Sequence, residues 1–364
     1  MRIAVLTNAY PPQARGGAGR IAALQVELFQ AAGHEVRVWS ASLEWTGYSF
    51  LRRALFHLRD LVWTHPVAAE IVVWKPDALI THNLTGVGFR TPAEIQRAFF
   101  AKTNQKLRWV HVLHDVQLFH PLGLLSDESS ITVLQRLVTC VRQVVFKKPD
   151  AVVSPTKWLL SAHTRRGWFK GVEQHVIPNP APAFEADVSR NCRDPLQALF
   201  VGRVTPDKGS ELLTHLMKTA DRPIAWRVIG AQSDVLTQVE LSAGSTLTTQ
   251  PESSSDVILQ AMREADVLLI PSQIEENQPT VILEAFASGL PVIGQAKGGI
   301  SETIGEAGLV VQEPASSAWV KALNQLTSLP RSTWSARVAS AWQCHVPERV
   351  VEELANVVKS NKKI

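Results

Sequence analysis

Residues 267–302 read VLLIPSQIEENQPTVILEAFASGLPVIGQAKGGISE, and this stretch carries the strongest prediction of the fold. It opens with four apolar, mostly branched residues that Pro271 ends, a pattern typical of a buried strand. Pro279 suits a first helical turn, and Gly289 suits the end of that helix. Because a second apolar strand follows at Val292, we predict a βαβ unit.

The same alternation of short apolar strands and helices runs through the whole chain, so we predict an α/β fold with parallel sheets. The 364 residues exceed one ordinary domain, and the proline-dense residues 176–182 form the predicted linker between two. The predicted strands cover residues 3–6, 36–40, 78–82, 109–114 and 151–154 in the first half, and 198–204, 226–230, 267–271 and 292–294 in the second.

Composition narrows the class of protein. Hydrophobic residues make up 45% and charged residues 19%, which is typical of a folded globular protein. No apolar run reaches the roughly 18 residues of a membrane span, and the apolar part of residues 1–7 is too short for a signal peptide. Three scattered cysteines fit a reducing cytoplasm, and the basic residues are too dispersed for nucleic-acid binding.

The start of the predicted helix is suited to an anionic ligand. The amides of Thr280 and Val281 lie at the positive end of the helix dipole, at the sheet edge where α/β proteins bind ligands. Glu276 and Glu284 flank this end, and phosphates would repel both carboxylates. They are better suited to accept hydrogen bonds from sugar hydroxyls, so we predict a nucleotide sugar as ligand.

The two glutamates resemble the E-x7-E signature of retaining family 4 glycosyltransferases, and the likeness continues through residues 284–293 and 298–302. It implies the GT-B architecture, in which two Rossmann-like domains face each other across a cleft. The implied division is an acceptor-side domain at 1–177, a nucleotide-sugar domain at 178–345 and a C-terminal helix at 346–364 that packs back on the first. Asn277 and Gln278 replace the family's usual Gly-Phe, which leaves the donor sugar open.

A second motif supplies positive charge. Arg203 ends a predicted strand, and Lys208 stands in an Asp-Lys-Gly sequence before a helix, so both can neutralise a diphosphate. In the resembled family, the equivalent cations stabilise the departing nucleoside diphosphate. No Asp-x-Asp metal signature occurs, so we expect neither a metal site nor a cofactor.

The first domain has two further candidates. Gly16 and Gly17 lie in a glycine-rich loop after the first strand, where backbone can approach a ligand, although a flexible turn would look the same. His114 follows a strand and resembles the histidine that borders the donor sugar in this family. His111 is predicted to be a packed core residue, and His82 and Asn83 are candidate acceptor-side groups.

Together these features predict a retaining hexosyltransferase that moves a sugar from a UDP- or GDP-sugar to an acceptor hydroxyl without a metal. The resemblance implies a saccharide or lipid-linked acceptor of cell-surface polysaccharide, lipopolysaccharide or glycolipid synthesis. Two alternatives stay open: a sugar-nucleotide epimerase of GT-B-like fold, and a catalytically silent sugar-nucleotide-binding protein.

The segment 51–63 has two interpretations. Leu51, Leu55, Leu58 and Val62 share one face of a helix, and arginines lie on another. An ordinary core-facing helix with a charged outer face is the favoured interpretation. Peripheral contact of a cytoplasmic protein with the inner membrane is the alternative.

Overall fold

The structure is a computed structural model that describes residues 1–12, 16–40, 49–120, 125, 133–185 and 193–360. The chain divides into two compact units. The first contains Met1–Pro180 and Pro347–Ile364, and the second contains Ala181–Val346. The sequence-based division lies at 177/178 and 345/346.

The first unit contains a parallel sheet of six strands in the order β2-β1-β3-β4-β5-β6. Its strands are β1 Arg2–Thr7, β2 Glu35–Ser40, β3 Ala78–Thr81, β4 Arg108–Val112, β5 Ala151–Ser154 and β6 Glu173–Val176. Its helices are α1 Gly17–Ala31, α2 Phe50–Val62, α3 Val67–Trp74, α4 Thr91–Thr103, α5 Val133–Phe146, α6 Lys157–Thr164 and, from the end of the chain, α13 Pro347–Lys359.

Alternate residues of these strands fill two separate cores. Ala4 and Leu6 of β1 pack with α3 and α4 on one face, whereas Ile3 and Val5 pack with α1 and α13 on the other. This division follows from the two-residue period of a strand, and burial of both faces explains the continuous apolar runs. Helix α13 is also held to β4 by Arg108, whose Nε donates to the carbonyl of Val357 at 2.7 Å.

The second unit contains another parallel six-stranded sheet, in the order β12-β11-β10-β7-β8-β9. Its strands are β7 Leu196–Val201, β8 Ile224–Ile229, β9 Thr246–Gln250, β10 Val267–Ile270, β11 Val292–Gln295 and β12 Gly308–Val311. Its helices are α7 Ser210–Thr219, α8 Ser255–Glu264, α9 Thr280–Ala287, α10 Ile300–Ile304, α11 Ser316–Thr327 and α12 Arg331–Trp342.

Each sheet has a topological switch point, where the strand order reverses. It lies between β1 and β3 in the first unit and between β7 and β10 in the second. Loops that leave the carboxyl ends of two such strands diverge to opposite sides, and ligands bind in the resulting crevice. The α/β fold class predicted from the sequence is confirmed, and each unit is Rossmann-like.

The outer strands differ most from the prediction. The sequence patterns do not predict β6, β9 and β12, which all lie at sheet edges. Two predicted strands are also too long at their carboxyl ends: β4 ends at Val112 and β7 at Val201. The backbone of Gly202 turns to a φ of 147°, which ends β7 and begins the loop that carries Arg203.

Helix α2 forms, but its apolar side does not face the core. Leu55, Leu58 and Val62 are 60–71% exposed, whereas Asp60 is fully buried. The core-facing interpretation of this segment is therefore wrong, because the face that packs inward is not the leucine-rich one. The side chain of Leu51 lies outside the described part of the chain. No helix among the described residues is both long and apolar enough to cross a membrane.

Candidate functional site

The loops after β7 and β10 touch at the switch point of the second sheet. Gly209 follows the short 3-10 turn Pro206–Lys208 with a φ of +83°, and a Cβ there would collide with the carbonyl oxygen of Pro271. The amide of Gln273 also donates to the carbonyl of Asp207 at 2.9 Å. Glycine is required at this close approach, which brings the Asp-Lys-Gly motif against the loop after β10.

Lys208 and Glu276 form an ion pair at this junction. The lysine Nζ lies 2.8 Å from Oε2 of Glu276, and the two side chains are only 27% and 15% exposed. The other carboxylate oxygen, Oε1, accepts a hydrogen bond from the hydroxyl of Ser272. Glu276 is thus held from two sides, and its remaining lone pairs can accept hydrogen bonds from a ligand.

Two glycines support the main chain of Glu276. The amide of Gly299 donates to the Glu276 carbonyl at 2.6 Å. Gly298 has a φ of +60°, and a Cβ there would collide with the same carbonyl. The structure therefore gives a physical reason for Gly298 in the sequence signature: a side chain there would displace Glu276.

Helix α9 begins directly after this loop, at Thr280, with Pro279 before it and no side-chain cap. The first amides of a helix have no partner within it, so those of Thr280 and Val281 can serve an anion. Glu284 lies one turn further along and is 8% exposed, as is Gln278, while Asn277 is half-buried. The helix therefore presents a positive end with a buried carboxylate close behind it.

Arg203 occupies a more open position than Lys208. Its side chain is 59% exposed, and its Nη2 lies 3.3 Å from Oδ2 of Asp207. A guanidinium paired at this distance in solvent is weakly held, so it can turn toward a bound diphosphate. The sequence analysis did not predict Asp207 as the partner of Arg203 or Ser272 as the partner of Glu276. The signal available for Ser272 was its position four residues before Glu276, in the same loop after β10.

The first unit carries its candidates at the carboxyl edge of its own sheet. Gly16 caps α1, and Gly17 is its first residue; residues 13–15 of the same loop lie outside the described part. The φ of Gly16 is an ordinary −78°, and a Cβ on it would meet nothing within 4 Å. The open space beside this backbone is compatible with the close approach of a ligand, which is the role predicted for the loop from the sequence.

His114 belongs to a polar network at this edge. Its Nε2 lies 2.8 Å from Nδ1 of His82, and Asn83 donates to Asp115 at 2.8 Å. Burial lowers the pKa of His114 to about 4, so the ring is neutral near pH 7. Burial raises the pKa of Asp115 to about 6. The two residues that the sequence analysis named for the acceptor side thus lie beside this pair, His82 bonded to His114 and Asn83 bonded to Asp115.

The packed position predicted for His111 is confirmed, and Thr156 nearby also has a structural role. His111 is buried and lies 2.8 Å from the hydroxyl of Thr81, which also accepts from the indole of Trp109 at 2.8 Å. Thr156 caps α6 by accepting from the amide of Leu159 at 3.2 Å, as expected for a helix cap. Neither residue needs a catalytic role to explain its position.

Comparison with known proteins finds a family match in the second unit. Residues 195–328, which contain β7 to α11 and the Lys208–Glu276 pair, match the family model described as "Glycosyl transferases group 1". The likeness to the glycosyl transferases group 1 family thus lies in the second unit. This agrees with the resemblance predicted from the E-x7-E and Asp-Lys-Gly motifs.

The chain is similar to two curated proteins over a longer stretch. It is 27% identical over 275 residues to "Uncharacterized 42.6 kDa protein in cps region" of Klebsiella pneumoniae, which covers 72% of the chain and 69% of that protein. It is 26% identical over 245 residues to the lipopolysaccharide 1,2-N-acetylglucosaminetransferase of Salmonella typhimurium, which covers 53% of the chain and 62% of that enzyme. The chain thus spans less than two thirds of the Salmonella enzyme.

Solved structures share the fold at low sequence identity. Sucrose-phosphate synthase from Thermosynechococcus elongatus matches with a TM-score of 0.69 at 16% identity, covering 98% of each chain. Anabaena HepE in complex with UDP matches with a TM-score of 0.68 at 15% identity, covering 98% of this chain and 99% of HepE. These likenesses confirm the GT-B class of the fold.

Proposed function

We propose that the protein is a retaining glycosyltransferase that moves a sugar from a nucleotide diphosphate sugar to an acceptor hydroxyl. The observation that carries the proposal is the Lys208–Glu276 pair, held at 2.8 Å at the switch point that precedes helix α9. A cation for phosphate and a carboxylate for hydroxyls, side by side, suit a ligand that contains both groups.

Each candidate has a distinct role in this proposal. Arg203, Lys208 and the amides of Thr280 and Val281 stabilise the departing diphosphate, whose charge grows as the bond to the sugar breaks. Glu276, with Asn277 and Gln278, orients the donor sugar, and Glu284 holds the ribose hydroxyls. The assignments of His114 to the donor sugar and of Gly16 and Gly17 to the donor phosphates remain predictions from the sequence.

The proposal includes retention of configuration and independence from metal. The bond between the sugar carbon and the diphosphate oxygen breaks ahead of acceptor attack, and the electron pair leaves with the diphosphate. The acceptor hydroxyl oxygen attacks the resulting oxocarbenium-like sugar on the face that the diphosphate left, and its proton passes to an oxygen of the departing diphosphate. Protein cations and helix amides supply the positive charge that a divalent metal supplies elsewhere.

Relatives favour particular substrates. Structures of Anabaena HepE contain UDP and UDP-glucose, so we propose a UDP- or GDP-sugar as donor. The Klebsiella protein belongs to a cps region, and the Salmonella enzyme acts on lipopolysaccharide. A saccharide or lipid-linked acceptor of cell-surface polysaccharide, lipopolysaccharide or glycolipid synthesis is therefore proposed, in the cytoplasm and with peripheral contact at the inner membrane.

The first test is calorimetric titration of the protein with UDP-, GDP- and ADP-sugars, and with the free nucleotides, in the absence of metal. Glu276→Gln is expected to weaken binding of the sugar nucleotide more than that of the free nucleotide, because Glu276 is the member of the pair that is proposed to contact the sugar. Lys208→Met is expected to weaken both ligands by about tenfold or more, because it contacts the diphosphate. Lys218→Ala and Glu306→Ala, exposed elsewhere in the same unit, are matched controls.

The alternatives predict other results. An epimerase would convert the donor sugar in the absence of any acceptor, which nuclear magnetic resonance of the sugar nucleotide would reveal. A silent sugar-nucleotide-binding protein would bind the donor yet neither hydrolyse nor transfer it. Absence of binding to every donor would contradict the proposal.

A further inference from the structure

The first unit exposes an unusual amount of apolar surface on two neighbouring helices. Among the described residues, six of the ten exposed large hydrophobic side chains lie on α2 and α5. Isolated exposed leucines and valines are ordinary, whereas a contiguous apolar patch on a folded protein marks an interaction surface. The six residues are Leu55, Leu58 and Val62 of α2, and Leu137, Val141 and Val144 of α5, each 42–71% exposed.

On each helix the exposed apolar residues form one stripe. Positions 55, 58 and 62 follow the i, i+3, i+7 spacing, and positions 137, 141 and 144 follow i, i+4, i+7, so each set shares a face. The opposite sides of the helices point inward, with Asp60 of α2 and Arg142 of α5 buried. The two helices pack against one another, so the stripes belong to one side of the unit. We call this surface the α2–α5 face.

The charge around this face is positive. Arg52 and Arg59 of α2, Arg136 of α5, and Lys147 and Lys148 just after it are all exposed. Arg59 also lies over the rings of Phe56 and Trp63, at 4.6 and 4.4 Å.

The carboxylates of these helices offset little of this charge, although Oδ1 of Asp60 lies 4.0 Å from Nη2 of Arg59. Asp60 is the single acidic residue in the sequence of α2 and α5. It is fully buried, and its Oδ2 accepts from the amide of Gly86 at 2.6 Å. Exposed leucines and valines beside exposed cations match the two parts of an anionic lipid surface, acyl chains and negative headgroups.

We propose that the α2–α5 face docks the protein on an anionic lipid bilayer, with the aliphatic stripes in the interface and the cations among the headgroups. A second copy of the chain fits less well, because two such faces would bring like charges together. The inference rests on the exposure and charge of the first unit and not on the proposed transferase activity. It is therefore tested without donor or acceptor.

The test is flotation of the purified full chain with vesicles of phosphatidylcholine alone and of phosphatidylcholine mixed with phosphatidylglycerol. Binding is expected to the mixed vesicles, and to weaken as salt is raised, because salt screens the contacts with headgroups. Leu58→Gln combined with Leu137→Gln should lower the partition coefficient by about tenfold or more, since each leucine loses its burial in the interface. Val257→Gln, 40% exposed in the second unit, is the matched control.

The cations are tested separately. Arg136→Gln with Lys148→Gln should weaken binding to the mixed vesicles and reduce its dependence on salt, because two headgroup contacts are lost. Lys102→Gln, exposed in the last turn of α4, should leave binding unchanged. Because all these side chains are exposed, circular dichroism should show the fold of every variant to be intact.

The modification rates of two cysteines measure directly whether the α2–α5 face contacts the vesicles. Cys140 is exposed on α5 between Leu137 and Val144, and Cys344 is exposed in the second unit. Mixed vesicles should slow maleimide modification of Cys140 and leave that of Cys344 unchanged.

Three results would overturn the proposal. The first is absence of binding to the mixed vesicles, and the second is equal protection of both cysteines. The third is self-association that the double leucine variant abolishes while vesicles have no effect, which would identify a second copy as the partner of this face.

Discussion

Lys208 and Glu276, 68 residues apart in the chain, meet at 2.8 Å in the second unit. The contact exists because Gly209 lets the loop after β7 approach the loop after β10, and because Gly298 leaves room for the main chain of Glu276. Both side chains are mostly shielded from solvent, but neither is fully buried. Such a pair contributes little to stability and is well suited to recognise a ligand.

Loss of this pair should affect ligand affinity far more than stability. In a double-mutant cycle of Lys208→Met and Glu276→Gln, the coupling in the free energy of unfolding should be about 0.5–1 kcal/mol, measured by urea denaturation. Affinity of the Lys208→Met variant for the sugar nucleotide should fall by about tenfold or more in calorimetry. A loss of several kcal/mol of stability with unchanged affinity would identify the pair as structural.

Gly298→Ala should be destabilising and should also disturb Glu276. The positive φ costs about 1–2 kcal/mol for a residue with a Cβ, and the collision with the Glu276 carbonyl adds to that cost. Gly33→Ala, at a φ of +80° with open space around it, measures the backbone cost alone. Gly16→Ala, at an ordinary φ in open space, should change stability by less than about 0.5 kcal/mol. Equal unfolding free energies for the Gly298 and Gly33 variants would contradict the predicted collision.

Lowering the pH should reduce the free energy of unfolding through the buried histidines of the first unit. Burial lowers the pKa of His114 and His163 to about 4 and that of His111 to about 3, against an ordinary value of 6.5. The unfolded chain therefore binds protons that the folded protein refuses, so these groups reduce stability as the pH falls from 6.5 to 4. Asp115 acts in the opposite sense, because its pKa is raised from 3.8 to about 6.

Asp115→Asn should consequently make the free energy of unfolding fall more steeply as the pH is lowered. Between pH 6 and 3.8 the folded protein holds a proton on Asp115 that the unfolded chain releases, which favours the folded state as the pH falls. Without that contribution, the drop in unfolding free energy between pH 7 and 4.5 should grow by about 1–3 kcal/mol. Asp234 is exposed in the second unit, so the Asp234→Asn variant should show the same pH dependence of the free energy of unfolding as the wild type in urea denaturation. A parallel pH profile for Asp115→Asn would contradict the raised pKa.

Substitution of His111 should affect mainly stability, whereas substitution of His114 should affect mainly ligand affinity. His111→Asn removes a buried partner of Thr81 and should cost about 1–3 kcal/mol of stability, with little effect on ligand affinity. His114→Asn should weaken binding of the sugar nucleotide relative to the free nucleotide, since its predicted contact is to the sugar. Thermal unfolding and calorimetry on both variants test this, and the reverse pattern would assign the ligand contact to His111.

Removal of metal should not stop the proposed reaction. Arg203, Lys208 and the first amides of α9 supply positive charge for the departing diphosphate, so transfer or donor hydrolysis should continue in excess chelator. The measurement compares initial rates with and without ethylenediaminetetraacetate after dialysis. Strong inhibition that added magnesium reverses would show that the proposed cations do not suffice.

The residue pattern of the chain was enough to predict most of the buried architecture. Central strands such as β10 are continuous apolar runs, and Gly33 and Gly289 mark helix ends because they adopt the positive φ that most residues avoid. The sequence also predicted that Glu276 and Glu284 lie close together. Both belong to one βαβ unit, and their short spacing places both side chains near the start of the same helix. Edge strands β6, β9 and β12 were missed, because their sequences are short or polar.

Contacts between distant parts of the chain required the folded protein. The pairing of Lys208 with Glu276 and the network of His82 with His114 depend on which strands become neighbours in a sheet, which local periodicity does not encode. The outward face of α2 is a second case. An amphipathic pattern has the same period whether its apolar side meets a core or the surroundings, so the choice depends on which side the neighbouring helices cover.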